Sequence, residues 1–228
     1  MKNFWHYLKR AFIWLFFLHL AYTLVIWVVN PPITLTMLGS LLAGDGLKRD
    51  YVPLREMSKN ARLAVMASED QLFPDHFGFD IKGIQAAMEY NENQTGKLRG
   101  ESTISQQVAK NVFLWQGRSY FRKGLEAYCT LWIELLYSKR RILELYLNVA
   151  EMGKGVYGIE AAARYYFNKS ARDLTAREAA AIAACLPSPK KFSASKPSRY
   201  VTRRIGWIQK QMRHLQTEKN VMAIINDK

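Results

Sequence analysis

The chain has 228 residues, 49% of them hydrophobic, which suffices for one well-buried domain and a short appendage but not for two full domains. Lys and Arg outnumber Asp and Glu by 33 to 19, and the net charge of +14 points to a polyanionic partner: nucleic acid, anionic lipid headgroups or a phosphorylated substrate. Cys129 and Cys185 lie in apolar runs without metal-ligand spacing, so buried free thiols are expected rather than a zinc site or a disulfide.

Residues 1–10 carry Lys2, Lys9 and Arg10 and no acid, and the run from Ala11 to Val29 has no formal charge. At about 1.5 Å per helical residue such a run nearly crosses a bilayer core. The positive-inside rule keeps residues 1–10 cytoplasmic and sends the remainder across, with Trp5, Tyr7 and Trp27 suited to the interfaces. The run ends in Asn30-Pro31-Pro32 and not in a small-x-small cleavage site, so a retained anchor over 11–29 is expected. Residues 30–46 read as a juxtamembrane connector closing on Gly44-Asp45-Gly46, and residues 47–228 as a single domain.

Within that domain helical periodicity recurs and no strand alternation of any length is found, so the fold reads as mainly α. Helices are expected over 61–68, 81–90, 103–112, 120–137, 139–149 and 159–167. A further one runs from the capping box Thr175-Ala176-Arg177-Glu178 through an alanine-rich stretch to Pro187. Along 120–137 the spacing of Leu125, Tyr128, Cys129, Trp132, Ile133 and Leu136 predicts the buried stripe.

Four segments carry chemistry-bearing residues. Glu69 and Asp70 end the first apolar helix of the domain, where acids oppose the helix dipole; a carboxylate at a cleft edge suits general-base work, with a solvated helix end as the plain alternative. Gly100 to Asn111 places Thr103 and Gln106 at capping-box spacing after a glycine-bearing loop, a natural anion site, with Gln106, Gln107 and Lys110 on one polar face. In Arg122-Lys123-Gly124-Leu125-Glu126, Glu126 has ion-pair spacing to both cations, which by itself reads as an exposed pair. In Lys139 to Asn148, Glu144 is the lone acid of an apolar stretch, and Arg140 is its nearest expected partner.

In this order and spacing the segments resemble the five motifs of glycosyltransferase family 51, the peptidoglycan glycosyltransferases. Glu69 to Gly78 is similar to the first motif, Gly100 to Asn111 to the second, Arg122 to Glu126 to the third and Lys139 to Asn148 to the fourth. Tyr166 to Lys169 with Leu174 to Ala180 is similar to the fifth, and Glu101 stands where a glycine is common. The resemblance implies a lysozyme-like, two-lobed helical domain behind an N-terminal transmembrane helix, in the family's monofunctional form. It implies lipid II and the growing glycan chain as substrates, no organic cofactor, and a reaction compatible with a divalent cation such as Mg or Mn.

Carried to this sequence, the resemblance makes Glu69 the base that deprotonates the GlcNAc 4-hydroxyl of incoming lipid II. It makes Glu126 a second acid that orients cations or pyrophosphate. Lys110, Arg118, Ser102, Gln106, Gln107 and Asn111, with Arg122 and Lys123, would hold phosphates and sugars. The aromatic residues of Val112 to Trp115 and Tyr120-Phe121 are expected to touch the membrane. The implied location is the bacterial inner membrane with the catalytic domain periplasmic, and elongation or division proteins as partners in place of nucleic acid. A muramidase or lytic transglycosylase and a non-enzymatic basic tethered module are the rival readings. Ser188-Pro189-Lys190-Lys191 and Ser193-Ala194-Ser195-Lys196 fit a serine-x-x-lysine pattern, but no lysine-threonine-glycine motif follows, so no transpeptidase is expected.

Overall fold

The computed structural model describes residues 2–92, 102–117 and 119–226. It forms two compact units, Met1–Pro32 and Ile33–Lys228.

The first unit is one helix, α1 (Lys2–Val28), 27 residues or about 40 Å long and apolar enough to cross a membrane. It begins well before the uncharged run, carrying Lys9 and Arg10 on its first turns, and stops just ahead of Asn30-Pro31-Pro32 as expected. Inside it the Thr23 hydroxyl donates to the His19 carbonyl at 2.8 Å, so that polar group is satisfied without water.

The second unit is mainly α, with a small sheet. Its first helix, α2 (Leu35–Leu42), lies inside the segment read as a connector. Thr34 caps it, and its Met37 and Ser40 are buried because the helix packs into the domain, the Ser40 hydroxyl meeting that of Tyr157 at 2.6 Å. Next come β1 (Lys48–Arg49), a 3-10 turn over Leu54–Glu56, α3 (Lys59–Glu69) capped by Ser58, and α4 (Ile81–Glu92). The chain continues through α5 (Ile104–Phe113), α6 (Tyr120–Leu136), α7 (Lys139–Val149), β2 (Glu151–Gly153) and β3 (Val156–Tyr157). It ends with α8 (Ile159–Phe167), α9 (Ala176–Cys185), α10 (Arg199–Leu215) and α11 (Lys219–Ile225). The strands run in the order β1-β3-β2, parallel then antiparallel. At two or three residues each they are too short to leave an alternation in the sequence.

Two helix groups position the site. In one, α3 is buried from Ala61 to Ala67 against α9 and α10. The run Ala179–Ala184 has almost no exposed surface, and its small side chains let α9 come close. In the other, α5 packs against α6 and α7. Arg62, 1% exposed, fastens the first group by donating to the carbonyls of Leu54, Met57 and Ile225.

Three expectations are corrected here. The buried face of α6 is rotated from the predicted stripe: Tyr128 is 37% exposed, and Arg122, Glu126, Cys129, Thr130, Ile133 and Glu134 point inward. The charges on that face are tolerated because each is paired, Glu134 accepting from Ser105 and Lys139. Glu144 pairs with Arg141 and accepts the Leu54 amide, while Arg140 instead binds the carbonyls of Ile224 and Asn226. The helices α2, α10 and α11 were not anticipated at all. Both cysteines are free and buried, and burial raises their thiols to about 12 for Cys129 and about 11 for Cys185, which makes them inert packing groups.

Candidate active site

The end of α3 meets the start of α5, and the two acids found there divide their labour. Asp70, the C-terminal cap of α3, accepts the Ile104 amide at 2.9 Å and the His76 Nε2 at 2.9 Å. The N-terminus of α5, expected as an anion site for a ligand, therefore holds the protein's own carboxylate. Thr103 and Gln106 complete the predicted capping box, and the Thr103 hydroxyl also donates to the Gly78 carbonyl at 2.7 Å. Gln106 is thus turned to its own helix terminus and buried.

Glu69, one residue earlier, is partly buried and free of any direct ion pair among the described residues. Its Oε2 accepts from Gln107 Nε2 at 2.9 Å, and its Oε1 shares the single proton of the Ser68 hydroxyl with the Ala183 carbonyl, each at 3.2 Å. Gln107 is held in that sense because its Oε1 accepts from the buried Tyr146 hydroxyl at 3.3 Å. Ser68 is held by Arg204 of α10, whose Nη2 donates to the serine oxygen at 3.1 Å. Burial pushes the Glu69 carboxyl above its ordinary range, while the Gln107 and Ser68 hydrogen bonds and the charges of Arg204 and Lys110 pull it back. The result is a carboxylate more basic than an exposed one.

Glu126 occupies a different environment. It is 2% exposed, so the reading of an exposed pair does not hold; its oxygens are taken by Arg122 Nη1 at 2.7 Å and by Lys123 Nζ. Arg122 also donates from Nε to the Gly117 carbonyl at 2.8 Å, which ties the approach to α6 in place. Lys110 lies within electrostatic reach of both acids. Burial lowers its ammonium below the ordinary lysine range, the Glu126 charge opposes this, and Arg122 and Lys123 add to it. No hydrogen bond from its ammonium is found among the described residues, and it lines a cavity as a partly desolvated cation.

Two cavities flank the Glu69–Gln107 contact. The larger, about 810 Å³, is lined by Gln107, Lys110, Asn111, Tyr146, Trp115 and Lys190 among others, with α2 along one wall. The smaller, about 250 Å³, is lined by Ser68, Glu69, Asp70, Asp80, Ser102, Thr103 and Trp207. The structure thus brings Gln107, Lys110 and Asn111 to one chamber and Ser102 to the other. Ser102 is exposed and within 3.4 Å of Lys123 Nζ, which joins its loop to α6. Arg118 lies outside the described residues. Sequence reasoning missed Ser68, Tyr146, Arg204 and Trp207. For the last two a signal existed: Ser198 followed by Val201, Ile205, Ile208, Met212 and Leu215 is a capped helix with one apolar face. Among the described residues no group of three or more His, Cys, Asp or Glu side chains converges as a metal site.

Residues 36–213 match the Transglycosylase family. The chain is similar to the biosynthetic peptidoglycan transglycosylase of Pseudomonas entomophila (strain L48), 53% identical over 214 residues covering 91% of this chain and 90% of the relative. It is 48% identical over 222 residues to the protein of the same name from Yersinia pseudotuberculosis serotype O:3, covering 94% and 92%. The Pseudomonas putida (strain GB-1) counterpart is 52% identical over 214 residues, with 91% and 90% covered.

Proposed function

The chain belongs to the transglycosylase family and is a peptidoglycan glycosyltransferase; we propose that it elongates glycan strands from lipid II with Glu69 as general base. In this reading Glu69 takes the proton of the GlcNAc 4-hydroxyl of an incoming lipid II. The freed oxygen bonds to the anomeric carbon of the strand's terminal MurNAc while the bond from that carbon to the pyrophosphate oxygen breaks. The electron pair leaves with undecaprenyl pyrophosphate, and the configuration inverts to β-1,4.

The observation that carries the assignment is the placement of Glu69. It lines the cleft with the Gln107 amide donating to it and no cation bonded to it among the described residues, and it lies between a chamber lined by Lys110 and one lined by hydroxyls and carboxylates. The leaving pyrophosphate gains charge as its bond breaks, and the partly desolvated Lys110 answers that charge with Gln107 and Asn111 beside it. Glu126 keeps Arg122 and Lys123 oriented near the same chamber. With both of its oxygens so occupied it fits a divalent cation poorly.

The span of α1 fits an inner-membrane anchor with its N-terminus cytoplasmic and the catalytic unit on the outer face, where lipid II presents its disaccharide. Exposed Trp115, Tyr120 and Phe121 suit shallow contact with the lipid surface. Elongation or division proteins are the expected protein partners.

The test is polymerisation of labelled lipid II by the detergent-solubilised chain. Wild type is expected to make strands that a muramidase digests, and Glu69→Gln to lose at least about a hundredfold in rate while remaining folded. Cleavage of finished peptidoglycan with lipid II left untouched would overturn the assignment in favour of a hydrolase.

A further inference from the structure

The positive charge of the chain is not spread evenly. Residues 179–217 hold eight Lys and Arg side chains and no Asp or Glu, against a net charge of +14 for the whole chain. Five of the eight lie on α10, four of them in a row. At about 100° per residue, Arg199, Arg203, Lys210 and Arg213 share an arc of about 80° and extend about 21 Å along the helix. The row lies opposite the buried side, which is Val201, Ile205, Ile208, Met212 and Leu215. All four cations are exposed, and no ion pair to any of them is found among the described residues.

The fold itself does not call for this row. Arg199 in the first turn opposes the helix dipole, and Arg199 repels Arg203 one turn on; only Arg213, in the last turn, is favoured by the dipole. Arg204 is different: it lies off the row and donates to the Ser68 hydroxyl beside Glu69.

The row borders the cleft. Trp207, one turn along from Arg203 at the edge of the arc, lines the smaller cavity beside Glu69. A polymer leaving that cavity over Trp207 meets the cations within a turn of helix. A lipid surface fits the row less well. The apolar side of α10 is used in packing on α9 and α3, which leaves no continuous apolar face to enter a bilayer, and α2, which follows the apolar span in sequence, packs on α5 instead. A line of cations complements a line of anions, and a growing glycan strand supplies one. Each MurNAc carries a short peptide on its lactyl group, so free carboxylates recur along the strand and suit guanidinium and ammonium partners.

We propose that the outer face of α10 is an exosite that holds the growing strand by the carboxylates of its peptides between successive additions. The inference rests on the polymerase reading above and adds to it a surface outside the reacting centre. Because the contacts are exposed ion pairs, retention of the strand weakens with salt.

The full-length chain in detergent is given lipid II whose peptide carboxylates are free, or the same lipid II with those carboxylates amidated, and the product strands are sized. Wild type is compared with a neutral variant (Arg199→Gln, Arg203→Gln, Lys210→Gln, Arg213→Gln) and a charge-keeping variant (Arg199→Lys, Arg203→Lys, Arg213→Lys). From the free-carboxylate substrate at low salt, the neutral variant is expected to make strands about two- to fivefold shorter, with lipid II consumed at an initial rate within about twofold of wild type. The charge-keeping variant is expected to make wild-type lengths, and wild type given the amidated substrate to make short strands. The exosite is overturned if the neutral variant makes wild-type lengths, if the two variants shorten strands alike, or if wild type makes equally long strands from both substrates. A raised KM for lipid II at unchanged strand length would assign the row to the incoming substrate, and lost co-sedimentation with anionic vesicles at unchanged length would assign it to a lipid surface; either overturns the strand as its occupant. A wild-type chain inert toward lipid II would instead sink the polymerase assignment itself, and the exosite with it.

Discussion

In the proposed role of base, Glu69 holds a negative charge where burial disfavours one, and that conflict has consequences for both rate and stability. Because its pKa is raised in the folded state, the charge opposes folding once the pH exceeds the unfolded glutamate value. The cost grows up to the folded value and is constant above it. Glu69→Gln is therefore expected to melt at or above the wild-type temperature near neutral pH, with the difference vanishing below the ordinary glutamate range; calorimetry at both pH values checks this. The acid limb of kcat/KM reports the same group in wild type. Around Glu69 stand Lys110 and Gln107 of α5, Tyr146 of α7, Arg204 of α10 and Ser68 of its own helix. Arg204→Gln removes a charge that holds the carboxyl down, so the acid limb should move to higher pH, with Arg204→Lys restoring part of the shift. Lys110→Ala should cut kcat about 10²- to 10³-fold, the usual loss when a donor to developing charge is removed.

At the scale of elements, the site depends on how the C-terminus of α3 is clipped to the N-terminus of α5. Asp70 supplies the clip, Thr103 caps α5, and the Thr103 hydroxyl reaches back to the Gly78 carbonyl. Asp70→Ala leaves the Ile104 amide and His76 without their partner and is expected to cost about 1–3 kcal/mol of stability. It should also lower kcat, because Gln107 rides on the helix that the clip locates. Gly78 has a positive φ of 78°, and a Cβ there would come within 2.7 Å of Thr130 Cγ2. Gly78→Ala should therefore destabilise by about 1–3 kcal/mol or more, read as a fall in the urea midpoint. The alanines of α9 play the complementary part. They add no chemistry, but their small size brings α10 and α3 together and so carries Arg204 and Trp207 to the cleft.

At the scale of the molecule, a charged catalytic unit is joined through Pro31-Pro32 to a single apolar helix. A chain beginning at Ile33 is expected to keep its fold and its thermal midpoint in detergent while co-sedimenting with anionic vesicles at low salt only. Retained sedimentation at high salt would show that the apolar side chains of the catalytic unit, Trp115, Tyr120 and Phe121 among them, suffice for membrane contact. The sequence by itself determined the apolar span, the mainly helical class and both capping boxes, because all of these depend on spacing along one chain. Helices such as α7 and α8 were legible to the residue, since their apolar repeats and caps are local. Which face of α6 turns inward was not legible: the pairing of Arg122 with Glu126 is local and could be read from spacing, but the covering of that face, with Ser105 of α5 on Glu134, is decided by neighbours distant in sequence. For the same reason only the tertiary structure decided that Asp70 serves as a clip while Glu69 faces the cavity, and that α10 packs behind it. Those roles depend on which groups surround each carboxylate, and that is a property of the packed chain.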